Sequence, residues 1–135
     1  MTIRIARVSD LPWLLKTACI AYPPGTFVAA AAEGWLRSLL QNPTCLFLRG
    51  DRAALVAIVK QLPYAPDIRH GYLLPVWSRG KAARELVKMT DMALRWAKER
   101  GASEFYFSAV TGCDFGPLAR KFGGVPVSPS YVVRL

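Results

Sequence analysis

The segment Tyr72–Gly101, YLLPVWSRGKAARELVKMTDMALRWAKERG, decides the fold. It reads as a short apolar strand over Tyr72–Val76, a tight basic turn, and a long amphipathic helix over Lys81–Arg100 that Gly101 stops. Ala83, Leu86, Val87, Thr90, Ala93, Leu94 and Ala97 recur at the helical period on one face, with Arg84, Lys88, Asp91, Arg95 and Lys98 opposite. Met89, Met92 and Trp96 widen the apolar side, which leaves a homodimer open beside packing within the domain. The turn combines small residues (Ser78, Gly80, Ala82, Ala83) with Arg79, Lys81 and Arg84. Small residues allow close approach to the backbone, and a helix start offers free N–H groups and the positive end of a dipole. That combination suits phosphate, and so a cofactor carrying a pyrophosphate. A solvated basic turn that binds nothing is the plainer reading of the same residues.

The flanking chain completes an α/β pattern. Thr2–Val8 alternates as a first strand, and Ser9-Asp10-Leu11-Pro12 opens a helix with Ser9 or Asp10 as N-cap. That helix ends before the loop Tyr22-Pro23-Pro24-Gly25, and a second runs from Val28 to Gln41. Thr44–Arg49 and Ala53–Gln61 form a hairpin around Gly50-Asp51, followed by a loop over Leu62–Gly71. Beyond the long helix come a strand at Ser103–Val110, a short helix near Gly116–Phe122 and a last strand at Tyr131–Leu135. The order β-α-α-β-β-β-α-β-α-β implies one domain over residues 1–135. Its sheet is mixed and mostly antiparallel, flanked by helices, with a parallel pair where the long helix crosses over.

Composition narrows the function. At 53% hydrophobic over 135 residues the chain can bury a core. No apolar run is long enough to span a bilayer, and MTIRIARVSD lacks the apolar centre of a signal peptide, so the expectation is a cytoplasmic protein without a membrane partner. Cys19, Cys45 and Cys113 are odd in number and widely spaced, which argues against disulfides and zinc and for buried structural thiols. A single histidine, His70, excludes a histidine-rich metal centre. The net charge of +9 suits nucleic acid, an acidic protein or a polyanionic cofactor, without choosing among them. Nucleic acid has no further support, because the basic residues are dispersed and lack interleaved aromatics.

The chain resembles the GCN5-related N-acetyltransferase (GNAT) superfamily over its whole length. The resemblance rests on element order, on IRIARVSDLPWLL, on the strand–RGK–helix junction, on WAKERGASEFYFSAV and on LARKFGG. It implies acetyl-CoA as co-substrate and an amine acceptor, a small molecule or a protein. The pantetheine arm would lie along Leu73–Trp77, including Leu74 and Val76, where that strand splays from its neighbour. The pyrophosphate would sit on the turn, at Arg79, Gly80, Lys81, Ala82, Ala83 and Arg84. Backbone N–H groups near Leu74–Val76 would stabilise the oxyanion. His70 and Tyr72 are the nearest candidates for the base, and Ser108, Thr111 and Tyr131 could approach the same cleft.

The departures from the family pattern are specific. In Q/R-x-x-G-x-G/A, a start at Arg79 puts Ala82 and Arg84 in the glycine positions. Taking Gly80 and Ala82 as the small pair puts Trp77 in the lead. The tyrosine that protonates the leaving thiolate is replaced by Ala119, and the Tyr72–Val76 strand has no carboxylate. These departures keep a second reading open, a non-catalytic binding or structural component such as degenerate members in bacteriophages. Acceptor choice would fall to the Tyr22–Phe27 and Leu62–Gly71 loops, and neither carries an acidic cluster for a polyamine.

Overall fold

Ala53–Ile58, AALVAI, is buried at every position. A run that is apolar on both faces belongs to a strand covered on both sides. The computed structural model describes residues 2–22, 24–107, 115–127 and 131–135, and places this run at the centre of a sheet. The elements are β1 (Arg4–Ile5), a 3-10 turn (Val8–Asp10), α1 (Leu11–Ile20), α2 (Ala29–Gln41), β2 (Cys45–Arg49), β3 (Ala53–Leu62), β4 (Ala65–Ser78), α3 (Ala83–Glu99), β5 (Ala102–Phe107) and α4 (Gly116–Lys121). The five strands lie in chain order; β1 to β4 are antiparallel and β4–β5 is parallel. No helix among the described residues is long and apolar enough to cross a membrane.

The side chains of β3 alternate between two cores. Ala54 and Val56 join Phe47 and Trp77 under α1 and α2, which contribute Leu11, Leu14, Ala18 and Leu36. Leu55 and Ala57 join Leu48 and Leu73 over α3, which contributes Met89 and Ala93. Each fully buried leucine contributes about 1.5–3 kcal/mol relative to exposure. Trp77, buried between Trp35 and Phe47, is therefore core rather than ligand surface.

Several elements differ from the sequence expectation. The first strand shrinks to Arg4–Ile5, and α3 begins at Ala83. The supposed loop Leu62–Gly71 is mostly strand, with only Pro63 and Tyr64 between β3 and β4. Leu62 pairs with Ala65 and Gln61 with Arg69, so Pro66–Ile68 bulge out of register. A bulge tolerates proline because no ladder N–H is required there. Tyr131–Leu135 forms no strand and is exposed. Cys19 is exposed and Cys45 half-buried, so neither is the fully buried thiol expected; Cys113 and the end of the Ser103–Val110 strand lie outside the described residues.

Two buried carboxylates join the layers. The inner stripe of α3 runs through Glu85, Met89, Ala93 and Ala97, a straight i, i+4 path, with Ala83 exposed. Glu85 Oε1 accepts N–H bonds from Arg52 (2.9 Å) and Ala53 (2.8 Å) in the β2–β3 turn. Gly50 makes room for it, since a Cβ there would lie 2.0 Å from Glu85 Oε1. On the other face Asp10 does not cap α1 with its side chain. It accepts both terminal nitrogens of Arg4 (2.7 and 2.6 Å), Arg49 Nη1 (2.8 Å) and the Arg7 N–H (2.8 Å). These bonds join β1, β2 and the start of α1.

Glu85→Ala leaves two turn N–H groups without their acceptor. It is expected to cost about 2–4 kcal/mol, read as a lower urea midpoint at unchanged m-value. The Arg4 guanidinium, ahead of the Arg7 N–H and Arg49, holds the Asp10 carboxyl well below the usual carboxylate range. A depressed folded pKa stabilises the fold above the unfolded value, about 4, and that stability drains away as pH falls further. Asp10→Asn is expected to lower stability at pH 7 and to flatten its loss on acidification, measured by urea unfolding across the acid range.

Candidate functional site

β4 has two strand partners, β3 and β5. From Arg69 to Leu73 it pairs with β5, Leu73↔Phe107 being the last pair among the described residues. From Leu74 to Ser78 it pairs only with β3 among the described residues. The β3–β4 register jumps from Leu55↔Val76 to Ala57↔Leu73, so Leu74 and Pro75 together oppose Val56. This is a bulge on β4, and Pro75 brings no N–H to it. The bulge follows Leu73, the last β4 residue paired with β5 among the described residues.

β4 then leads into the turn. Gly80 has φ of +64°, the left-handed region that favours glycine, and open space around its Cα. Ala82, buried, is the N-cap of α3, and no side chain caps the helix. The first-turn N–H groups therefore have neither intrahelical acceptors nor a capping oxygen. Gly80, Lys81, Ala83 and Arg84 are exposed around them, and among the described residues neither Lys81 nor Arg84 pairs with an acid. The geometry is that of an anion site at the end of β4.

Arg79 does not join this group. Its N–H donates to Arg52 O (2.7 Å), its Nε to Thr17 Oγ1 (2.7 Å) and its Nη2 to Trp13 O (3.3 Å). Its guanidinium lies 5.1 Å from the Trp13 ring centroid, and that of Arg49 lies 4.1 Å from the same ring. Arg79 thus fastens the exit of β4 to α1, and the cations facing the helix start are Lys81 and Arg84.

Of the other sequence candidates, His70 and Tyr72 lie on the sheet face turned toward α1 and α2, and Val76 packs on the α3 side. Gly71, Leu73, Phe105 and Phe107 point to α3, with a Cβ on Gly71 coming within 2.5 Å of Phe105. His70, Tyr72 and Leu74 alternate to the opposite face, where Leu74 packs on the α1–α2 core. Tyr72 stands two residues before the bulge and His70 four, about 7 and 13 Å along the strand from Leu74. Cross-strand register puts Glu104 opposite His70 and Tyr106 opposite Tyr72. His70 Nε2 is 3.9 Å from Glu104 Oε2, and the Tyr106 hydroxyl donates to that same oxygen. This bond to Glu104, ahead of desolvation, raises the Tyr106 pKa above its ordinary value.

Glu104 and Tyr106 were missed as site residues, although the alternation of SEFYFS already puts them on one face. Ala119 is half-buried on α4, and its carbonyl accepts the Gly124 N–H at 2.9 Å. Tyr131 is exposed and outside any regular element. Ser108 and Thr111 lie outside the described residues. Among the described residues no group of three or more His, Cys, Asp or Glu gathers to hold a metal.

Solved structures share this architecture end to end. An aminoglycoside antibiotic 6′-N-acetyltransferase from Acinetobacter haemolyticus superposes with a TM-score of 0.75 at 18% identity, over 100% of this chain and 97% of that one. Glucosamine-6-phosphate N-acetyltransferase from Arabidopsis thaliana gives 0.75 at 10% identity, over 98% and 97%. A Clostridium acetobutylicum protein described as a predicted acetyltransferase, solved with acetyl-CoA, gives 0.72 at 17% identity, over 98% and 95%. No protein-family model matches the sequence, and no curated protein matches it. The chain has the fold of the GNAT superfamily. At these identities the likeness defines the fold, and the neighbours' different acceptors assign none to this chain.

Arg79→Ala is expected to cost about 1–3 kcal/mol by releasing Thr17 and the Trp13 carbonyl. Arg79→Lys should recover little of it, because an ammonium cannot replace the planar fork. Urea unfolding of the two variants measures both.

Proposed function

We propose that this chain is an acyl-CoA-dependent N-acyltransferase, moving the acetyl group of acetyl-CoA to a primary amine by direct attack. The observation that carries the reading is the run of β4 through the Leu74–Pro75 bulge into the uncapped start of α3, where among the described residues neither Lys81 nor Arg84 pairs with an acid. The pantetheine amides would pair along Leu74–Val76, and the pyrophosphate would meet the N–H groups of Ala83 and Arg84 behind Gly80 and Ala82. Arg84, in a position where the family has a small residue, would clamp a phosphate oxygen.

In this reading the neutral amine attacks the thioester carbonyl carbon. The new N–C bond forms, a backbone N–H of the β4 edge holds the oxyanion, and the C–S bond breaks as the carbonyl re-forms. Tyr72 borders the reacting nitrogen. His70, about 13 Å along the strand, receives the amine proton only by way of intervening water or Tyr72. The thiolate takes its proton from solvent, since Ala119 has none to give.

A second reading, a GNAT-fold protein acting as a binding or structural component, is supported by Ala119 and by the engagement of Arg79 with α1. Calorimetric titration with acetyl-CoA separates the two. The transferase reading expects micromolar binding, weakened at least tenfold by Arg84→Glu, and release of free thiol once an amine is supplied. Absence of binding in the wild type would assign the fold to the second reading.

A further inference from the structure

Basic residues that are dispersed in the sequence gather at one end of the sheet. Arg4 opens β1 opposite Arg49, the last residue of β2. Arg52 precedes β3, and its carbonyl accepts the Arg79 N–H (2.7 Å) just past the end of β4. α1 and α3 begin at this same end, and neither start has a side-chain cap. Arg4 and Arg49 are spent on Asp10, and Arg79 on α1. Arg7, Arg52, Lys81 and Arg84 are exposed, and among the described residues none of them pairs with an acid. Of the acids at this end, Asp10 and Glu85 are buried and satisfied internally, which leaves Asp51 exposed among the described residues. The opposite end is mixed: exposed Lys60, Arg69, Lys98 and Arg100 lie with exposed Asp67, Glu99 and Glu104.

We propose that this end of the sheet docks duplex DNA through its phosphates, without reading bases. The planar fork of arginine suits phosphate oxygens, and the two helix starts add the positive ends of their dipoles. The strand ends from β1 to β4 span about 14 Å, which matches about four phosphates of one DNA strand at about 3.4 Å of rise each. Single strands are held by stacking bases on open aromatic faces. The tryptophans at this end do not offer one: Trp13 carries the guanidinium groups of Arg49 and Arg79 against its ring, and Trp77 is buried. The surface extends beyond the turn assigned above to acetyl-CoA. Lys81 and Arg84 belong to both, whereas Arg7 and Arg52 belong to the DNA surface alone, and the proposal does not depend on acetyl transfer.

The test follows the fluorescence anisotropy of a labelled short DNA duplex of arbitrary sequence as the protein is added, at salt from about 50 to 200 mM. With four phosphate contacts, the logarithm of the binding constant is expected to fall against the logarithm of salt with a slope of about −3.6. Arg7→Gln with Arg52→Gln should make that slope shallower by about 1.8 and weaken binding at least tenfold at low salt, with the unfolding midpoint and the acetyl-CoA affinity kept. Lys60→Gln with Lys98→Gln removes the same net charge from the opposite end and should leave the slope unchanged. Should the first pair unfold the protein, Arg52→Gln alone carries the test at half the change in slope. Absence of duplex binding at low salt, an equal loss in both pairs, or polyglutamate binding as tightly as the duplex overturns the proposal. If the duplex binds and acetyl-CoA does not, the transfer reading falls and the DNA surface stands. If acetyl-CoA binds and the duplex does not, the DNA surface falls alone.

Discussion

The contact between Glu85 and the β2–β3 turn fixes where the long helix begins. Its carboxylate is buried and satisfied by two backbone N–H groups, and Gly50 leaves it the space of a missing side chain. A buried carboxylate is tolerated only when it is paired in this way, so the alignment of helix and hairpin is narrow. From Glu85 the stripe through Met89, Ala93 and Ala97 lays α3 across the sheet. The first turn is consequently held at the mouth of β4, with its N–H groups outward. Glu85 directs its own charge inward, so the outer side of the turn is left to Lys81 and Arg84.

The opposite face follows a related rule with its charges reversed in number. One carboxylate, Asp10, gathers two guanidinium groups, and Trp13 receives one of them together with Arg79. Much of the local positive charge is therefore spent on joining α1 to the sheet. A count of basic residues overstates what is available to a ligand, and the +9 of the sequence is in part an internal adhesive. Lys81 and Arg84, which pair with no acid among the described residues, lie where the helix dipole adds to their charge.

The fold was readable because its main elements carry unambiguous periods. The helical stripe after Gly80, the buried run of β3 and the Gly50-Asp51 turn each point to one structure. The misreadings came from residues whose role is set by distant partners. Pro63, Pro66 and Asp67 suggested a loop, but pairing with β3 carries the strand past them through a bulge. Arg79 looked like a phosphate ligand, and only the approach of Thr17, 62 residues away, shows its donors to be engaged. Glu85 was hidden because a glutamate in a first helical turn usually faces solvent. Glu104 needed the parallel β4–β5 register to bring it to His70, and local alternation cannot supply that register.

Proline at position 75 has a consequence for how β4 can pair. A bare strand edge invites another strand, from the same chain or a neighbour, to zip onto it. At Leu74–Pro75 the bulge breaks the repeat and the imino nitrogen has no hydrogen to offer, so a continuous ladder cannot form across this point. An extended segment laid along Leu74–Ser78 therefore meets one interruption whose place is fixed by the chain itself.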